Sequence, residues 1–319
     1  MNISVLIVNW NSKDFLRRCL LSLDSNITNE ALEVIVVDNA SYDGCAEMLR
    51  SEFPAVRFIQ STENIGFARG NNLAAAYATG DYLLLLNSDT EVIGTAVQDL
   101  RACVETRADA GVVGAKLLNT DLSIQTSCVQ AFPSIINQLL DTRSLYTIFP
   151  RWALWGNHVL VDGSTVAAVE GISGACMMLR RTVFERLGGF STRYFMYGED
   201  MDLCYRAKQI GLTNYYLGMA TIVHHGGQST STKSDKQFSA VMMKESTLKF
   251  LRAHRGGAYA LAFKYATAAA ALCRLGLIGV AMLLPLADDR RRGLSLALAK
   301  WSRILRWAIG LESWAKQAA

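Results

Sequence analysis

Proline is scarce, at 4 residues in 319. No low-complexity tract or repeat at a fixed period accompanies it, so collagen-like and repeat architectures are excluded. Charge is sparse as well, at 19% of residues against 51% hydrophobic. That balance excludes a disordered chain and a long coiled coil. The seven cysteines (19, 45, 103, 128, 176, 204 and 273) form no Cys-x-x-Cys pair. Their odd number and wide spacing argue against a disulfide framework or a structural zinc site, and for a reducing compartment. No basic n-region and no small-residue cleavage site flank the first apolar run, residues 3–8. This run reads as a first strand, not a signal peptide, and the cytoplasm is the expected location. Two phosphate-binding signatures are missing too. Without Gly-x-x-x-x-Gly-Lys-Ser/Thr, or Gly-x-Gly-x-x-Gly after the first strand, a phosphate-loop NTPase and a dinucleotide dehydrogenase are disfavoured.

What is present is alternation. Short β-branched runs at 3–8, 33–37, 56–59 and 82–86 alternate with helical patterns at 14–23, 45–51 and 67–78. This spacing predicts an α/β fold, a mainly parallel sheet with helices on both faces, followed by a C-terminal helical region. Ligands of such sheets bind beyond the carboxyl ends of the strands. Asn9-Trp-Asn11, Asp38-Asn-Ala-Ser41 and Asn87-Ser-Asp89 stand at three of those ends. Together they predict one shared crevice. A further strand is expected over 174–180, then a helix to 211, while residues 119–170 carry no readable motif.

Each cluster has a bland and a chemical reading. Asp38 either closes an Asx turn or accepts the imide N–H of uracil or thymine. Asp89 either caps a helix or holds a divalent cation, which prefers oxygen ligands and keeps positions open for substrate phosphates. Asn64-Ile-Gly-Phe-Ala-Arg-Gly-Asn-Asn72 couples a tight glycine turn to a helix start, where backbone N–H groups favour anions. Glu199, Asp200 and Asp202 either favour a helix N-terminus or include a general base. His224-His225 is either structural or a metal or diphosphate contact.

These motifs, with Gly188-Gly-Phe190, Phe195-Met-Tyr-Gly-Glu-Asp-Met-Asp-Leu203 and His224-His-Gly-Gly-Gln-Ser229, occur in the order of a known family. Over residues 1–250 the chain resembles a family 2 glycosyltransferase of the rhamnosyltransferase-like branch. The resemblance implies a GT-A fold over 1–248, a nucleotide-sugar donor (dTDP- or UDP-linked, dTDP-L-rhamnose for this branch), Mg²⁺ or Mn²⁺, and inversion at the anomeric carbon. Carried over residue by residue, Asp38 would bind the base. Asn9, Asn64, Arg69, Asn72, Asn87, Ser88 and Asp89 would line the nucleotide-sugar pocket. Asp89 and His224 would contact the metal, and Asp200, paired with Glu199, would supply the base. Ser88 stands where the family often has proline. A nucleotidyltransferase is disfavoured, because 9–13 lacks its Gly-rich basic loop. A non-catalytic carbohydrate-binding or scaffold protein is the alternative, and it would not need Asp89 and Asp200 together.

Residues 249–319 hold 12 Lys/Arg against 3 Asp/Glu, whereas 1–248 hold 20 against 25. The basic residues of the tail flank apolar helical sequence, so a membrane surface is expected and nucleic acid is not. The run 258–287 would extend about 45 Å as one helix. Arg274 near its middle would cost about 2.5–3.5 kcal/mol in a bilayer core, which disfavours spanning. Helices lying on the inner membrane's cytoplasmic leaflet, with Trp301, Trp307 and Trp314 at the interface, are expected. An oligomer interface is the alternative. A lipid-linked saccharide acceptor would account for the tail.

Overall fold

A computed structural model describes residues 2–26, 32–140, 145, 148–149, 152–156, 166–226, 233–285 and 287–312. Two compact units emerge. The first comprises Met1–Phe132, Phe149–Phe195 and Glu199–Ser229, and the second Pro133–Ile148, Met196–Gly198 and Thr230–Ala319.

The first unit opens with the expected alternation: β1 (Ile3–Asn9), α1 (Lys13–Asn26), β2 (Leu32–Asp38), α2 (Cys45–Glu52), β3 (Arg57–Gln60), α3 (Gly66–Ala76) and β4 (Tyr82–Asn87). β4 carries four consecutive leucines, all buried, because the sheet is covered on both faces. α1 buries Leu16, Cys19, Leu20 and Leu23 at helical spacing. α3 buries small residues instead, and a Cβ at Gly70 would meet the Val8 side chain at 2.9 Å. The helix therefore lies close on β1.

Beyond β4 the order becomes mixed. β5 (Thr90–Ile93), α4 (Ala96–Thr106) and β6 (Ala110–Leu118) come first. β7 (Val129–Gln130), β8 (Val166–Val169), β9 (Gly171–Ile172), β10 (Cys176–Arg180) and β11 (Thr213–His224) complete the strands. The short helices α5 (Ile135–Leu140) and α6 (Arg181–Arg186) and the longer α7 (Glu199–Gln209) fall between them. The main sheet runs β3-β2-β1-β4-β10-β6-β11-β5, with β8 on β11. β10 is antiparallel to both β4 and β6, and β5 and β8 are antiparallel to β11. The sheet is thus mostly parallel but mixed, as the mainly parallel expectation allowed, with the antiparallel strands all beyond β4. Apolar periodicity reports burial, and a buried strand looks the same in either direction. All seven cysteines are free, six of them buried.

The second unit holds α5 and the helices α8 (Lys233–Arg255), α9 (Gly257–Met282) and α10 (Asp288–Ala308). Trp307 is buried and donates its indole N–H to Glu245 Oε2 (2.7 Å). Arg274 stacks over Trp301 at 4.1 Å and donates to the Leu139 carbonyl (2.9 Å). Trp307 therefore belongs to the packing of this unit, correcting its expected place at a membrane interface, while Trp301 is half-buried beneath Arg274. Trp314 lies outside the described residues. α9 is long and apolar enough to cross a membrane, by length and composition. Its side chains Leu261, Tyr265, Leu272, Leu277 and Val280 are exposed.

Candidate active site

Strand register assembles the first part of the site. Asn9 pairs with Asp38 across β1 and β2, and Val8 pairs with Asn87 across β1 and β4. Three polar strand ends thus lie side by side. Asp38 is fully buried, and its carboxylate is crowded with donors. Oδ1 accepts from Asn9 Nδ2 (2.9 Å), Ser41 Oγ (2.6 Å) and Cys45 Sγ (3.1 Å). Oδ2 accepts from the Ser41 N–H (2.8 Å) and Gln60 Nε2 (2.7 Å). Burial pushes the carboxyl's pKa up, but Ser41, Asn9 and Cys45 more than offset it, and the net shift is downward. Asp38 stays ionised and closes its own turn through the Ser41 N–H and hydroxyl, as the Asx-turn reading expects. Of its donors only Gln60 is exposed, at the end of β3. Trp10, 40% exposed, follows Asn9 directly. Gln60 and Cys45 are not singled out by the sequence, because only register and turn bring them to Asp38.

The 64–72 motif is divided by the fold. Asn64 Oδ1 accepts from the Gly66 N–H (3.0 Å), closing the turn before α3. Gly66 has φ +80°, and a Cβ there would stand 2.5 Å from the Phe195 carbonyl oxygen. That carbonyl accepts from the Phe67 N–H (3.0 Å), so only glycine fits. Arg69 is exposed on the first turns of α3. Asn72 exchanges two hydrogen bonds with the Phe190 backbone, each 2.8 Å, and its amide acts as a clasp between α3 and the Gly188-Gly-Phe190 turn.

The second part of the site lies at the far end of β4. β11 changes register against β6 between Leu217 and Thr221, and its last residues pair with β5. This irregularity lets β11 bend and carries His224 to Asp89, with Nε2 3.3 Å from Asp89 Oδ1. Asn87 Nδ2 is also 3.3 Å from that nitrogen, and Ser88 is buried between the two. Both side chains are largely enclosed, His224 at 15% and Asp89 at 13% exposure. His225 is held elsewhere, by Glu91 Oε1 (2.8 Å) and Thr120 Oγ1 (3.0 Å), with its ring against Phe15. The histidine pair therefore has one structural and one site-facing member. Among the described residues no group of three His, Cys, Asp or Glu side chains converges as a metal cluster. One carboxylate oxygen and one imidazole nitrogen suit a divalent cation that takes its remaining ligands from substrate phosphates and water.

The three carboxylates of 199–202 separate sharply. Asp202 is buried and pairs with Arg206 (2.6 Å), while accepting from Tyr194 OH (3.2 Å). Arg206 in turn donates to the Leu187 and Gly189 carbonyls. Asp202 is a structural anchor. Glu199 is buried at the start of α7. Asp200 is half-buried, its Oδ1 accepting from the Met201 N–H (2.8 Å) and its Oδ2 from the Gly174 N–H (3.0 Å). The next residue, Ala175, accepts from the Asn87 N–H (3.0 Å). One turn before β10 thus ties Asp200 to the end of β4.

The arrangement is a polar crevice at the strand ends of a GT-A sheet. Residues 4–188 match the sequence model of glycosyl transferase family 2, and the chain belongs to that family. A second family model, the N-terminal domain of galactosyltransferase, matches residues 164–226. The chain is 28% identical over 266 residues to the N-acetylglucosaminyl-diphospho-decaprenol L-rhamnosyltransferase of Mycobacterium tuberculosis (strain ATCC 25618 / H37Rv), covering 79% of this chain and 85% of that one. It is 25% identical to the rhamnosyltransferase WbbL of Escherichia coli (strain K12), covering 79% and 93%. In fold it resembles the mannosyltransferase PcManGT of Pyrobaculum calidifontis, solved with GDP-Man and Mn²⁺. The TM-score is 0.61 at 18% identity, over 97% of this chain and 87% of that one.

Proposed function

We propose that this glycosyltransferase moves a sugar, L-rhamnose from dTDP-L-rhamnose, to a hydroxyl of a lipid-linked saccharide, with inversion, during synthesis of a bacterial surface polysaccharide. The observation that carries the reading is the 174–175 turn, which joins the carboxylate of Asp200 to the strand end bearing Asn87, Ser88 and Asp89. A base and a diphosphate site need to be neighbours if an acceptor is to attack a donor held there. The donor and acceptor classes are drawn from the printed names of the two rhamnosyltransferase relatives.

In this reading the imide N–H of thymine or uracil donates to Asp38 Oδ2 and displaces the exposed amide of Gln60, the one donor there that can swing into solvent. Trp10 offers its exposed ring to the base, Asn64 and Asn9 keep the two turns that frame it, and Arg69 faces the diphosphate charge. Asp89 and His224 would hold Mg²⁺ or Mn²⁺, which would supply positive charge beside the leaving diphosphate. Asp200, fixed by two backbone N–H groups, takes the acceptor's proton as the acceptor oxygen forms its bond to the anomeric carbon. The bond from that carbon to the phosphate oxygen breaks on the opposite face. Glu199 supports the carboxylate pair at the helix start.

The exposed apolar side of α9 and the basic residues Arg290, Arg291 and Arg292 suit the surface of an anionic cytoplasmic leaflet, where a lipid-linked acceptor resides. Peripheral attachment predicts release from vesicles by high salt. A homo-oligomer through the same helix would instead give a concentration-dependent mass without lipid affinity.

The test is a panel of nucleotide sugars with Mg²⁺ or Mn²⁺ and a lipid-diphosphate saccharide acceptor. Turnover of one dTDP- or UDP-sugar, abolished by chelator and by Asp89→Asn, is the expected result. Failure of every donor to bind in the presence of metal would overturn the reading and favour a non-catalytic scaffold.

A further inference from the structure

Residues 119–125 form a tight turn between β6 and the rest of the excursion that carries no readable motif. Ser123 donates its hydroxyl to Asp121 Oδ1 (2.5 Å), and its N–H donates to the same oxygen (3.0 Å). These two donors hold the Asp121 carboxyl below its ordinary range, so it is an ionised acceptor at neutral pH. A hydroxyl has one proton. Since Ser123 gives it to Asp121, its oxygen must accept from Asn119, which therefore presents Nδ2 (2.9 Å). The other end of the Asn119 amide, Oδ1, then faces Gln125 and accepts from Nε2 (3.1 Å). Gln125 is left with Oε1 pointing at His224 Nδ1, 2.7 Å away. A carbonyl oxygen can only accept, so that ring nitrogen must carry the proton. In a neutral imidazole Nε2 is then bare.

The bare nitrogen is the one that stands 3.3 Å from Asp89 Oδ1. Asn87 Nδ2, a donor, also stands 3.3 Å from this nitrogen, so Nε2 faces an amide hydrogen on one side and the Asp89 carboxylate on the other, and a cation bound by Asp89 would take the place of that hydrogen. The direction of every bond from Asp121 to His224 follows from the ionised carboxylate at the start, and each partner is used once.

We propose that the turn at 119–125 positions the cation site, with Gln125 locking His224 in its Nδ1–H tautomer so that Nε2 is presented as an acceptor beside Asn87 and Asp89. The inference rests on the reading of Asp89 and His224 as cation ligands, and it assigns Gln125 as a positioning residue that touches neither donor nor acceptor. Outer partners that fix a ligand's tautomer typically change metal affinity by about 10–100-fold when removed.

Two measurements on the full chain test it. The first is long-range ¹H–¹⁵N NMR of ¹⁵N-histidine-labelled protein at pH 8, without metal. With four histidines in the chain, the His224 signals are assigned by comparison with His224→Asn. The expected spectrum shows a protonated Nδ1 and a pyridine-like Nε2. A protonated Nε2 overturns the proposal. The second is titration with Mn²⁺ alone, followed by electron paramagnetic resonance of the free ion. Gln125→Leu is expected to weaken Mn²⁺ binding by about 10–100-fold. Gln125→Glu keeps an acceptor toward Nδ1 and is expected to restore both the tautomer and an affinity near that of the unaltered chain. Equal affinity in Gln125→Leu, with binding lost in Asp89→Asn, overturns the positioning role alone. Mn²⁺ binding unaffected by Asp89→Asn, or no Mn²⁺ binding at all, overturns the cation reading beneath it as well.

Discussion

The two halves of the main sheet differ in how their functional residues are brought together. In β3-β2-β1-β4 the strands follow one another with a helix between, and the polar ends of β1, β2 and β4 fall at adjacent register positions. In β10-β6-β11-β5 the order is scrambled and partly antiparallel, and the site residues at 125, 174, 200 and 224 are brought from distant positions to the 87–89 end of β4. The first half lines up its polar strand ends by local repetition. The second half gathers its residues through chain crossings, a register shift in β11 and one turn before β10. On the proposed reading the first half holds the nucleoside and the second moves the sugar, so substitutions in the two should split between KM and kcat.

The largest expected effect belongs to the second half. Asp200→Asn should lower kcat by about 10²–10⁴-fold while leaving donor KM near its starting value, because general-base assistance is absent from ground-state binding. Steady-state kinetics with varied donor would show it, and a change confined to KM would break the division. Next comes stability. Leu85 of β4 and Met177 of β10 pair across the seam between the halves and are both fully buried. Leu85→Ala and Met177→Ala should each cost about 2–5 kcal/mol in urea unfolding. A negligible cost for Met177 alone would mean that the halves do not share one core.

Asp38→Asn tests the first half directly. Loss of a charge-assisted hydrogen bond of about 1.5–3 kcal/mol predicts a donor KM raised by at least tenfold with kcat largely kept. The same carboxylate has a pH signature. Its native pKa lies below its ordinary value of 3.8, so its contribution to stability is complete above that value and is lost as pH falls through the native one. Acid unfolding followed below pH 4 should therefore show a shallower slope in Asp38→Asn. The smallest effect is expected for Gln60→Ala. If the base displaces this amide, donor KM should stay level or fall, by less than about 1 kcal/mol in binding. A KM raised tenfold would make Gln60 a direct contact and sharpen the first half's role.

The sequence by itself determined the alternation of strands and helices to β4, the three polar strand ends, and the chemical types at Asp38, Asp89 and Asp200. These are local properties: apolar runs, helical spacing and turn residues follow from each segment's own burial and backbone preferences. The free cysteines follow too, since no pair has the spacing of a cross-link or a metal clip. Only the tertiary structure decided strand direction beyond β4, because burial patterns are the same for parallel and antiparallel neighbours. It also separated residues that look alike in sequence. Asp202 is consumed by Arg206 while Asp200 is held by backbone N–H groups, and His225 is fixed by Glu91 while His224 reaches Asp89. Gln60 and Gln125 carry no sequence signal, since a glutamine's function depends on which partner faces each end of its amide. Such partners come from strands and turns distant along the chain, and folding alone sets them side by side.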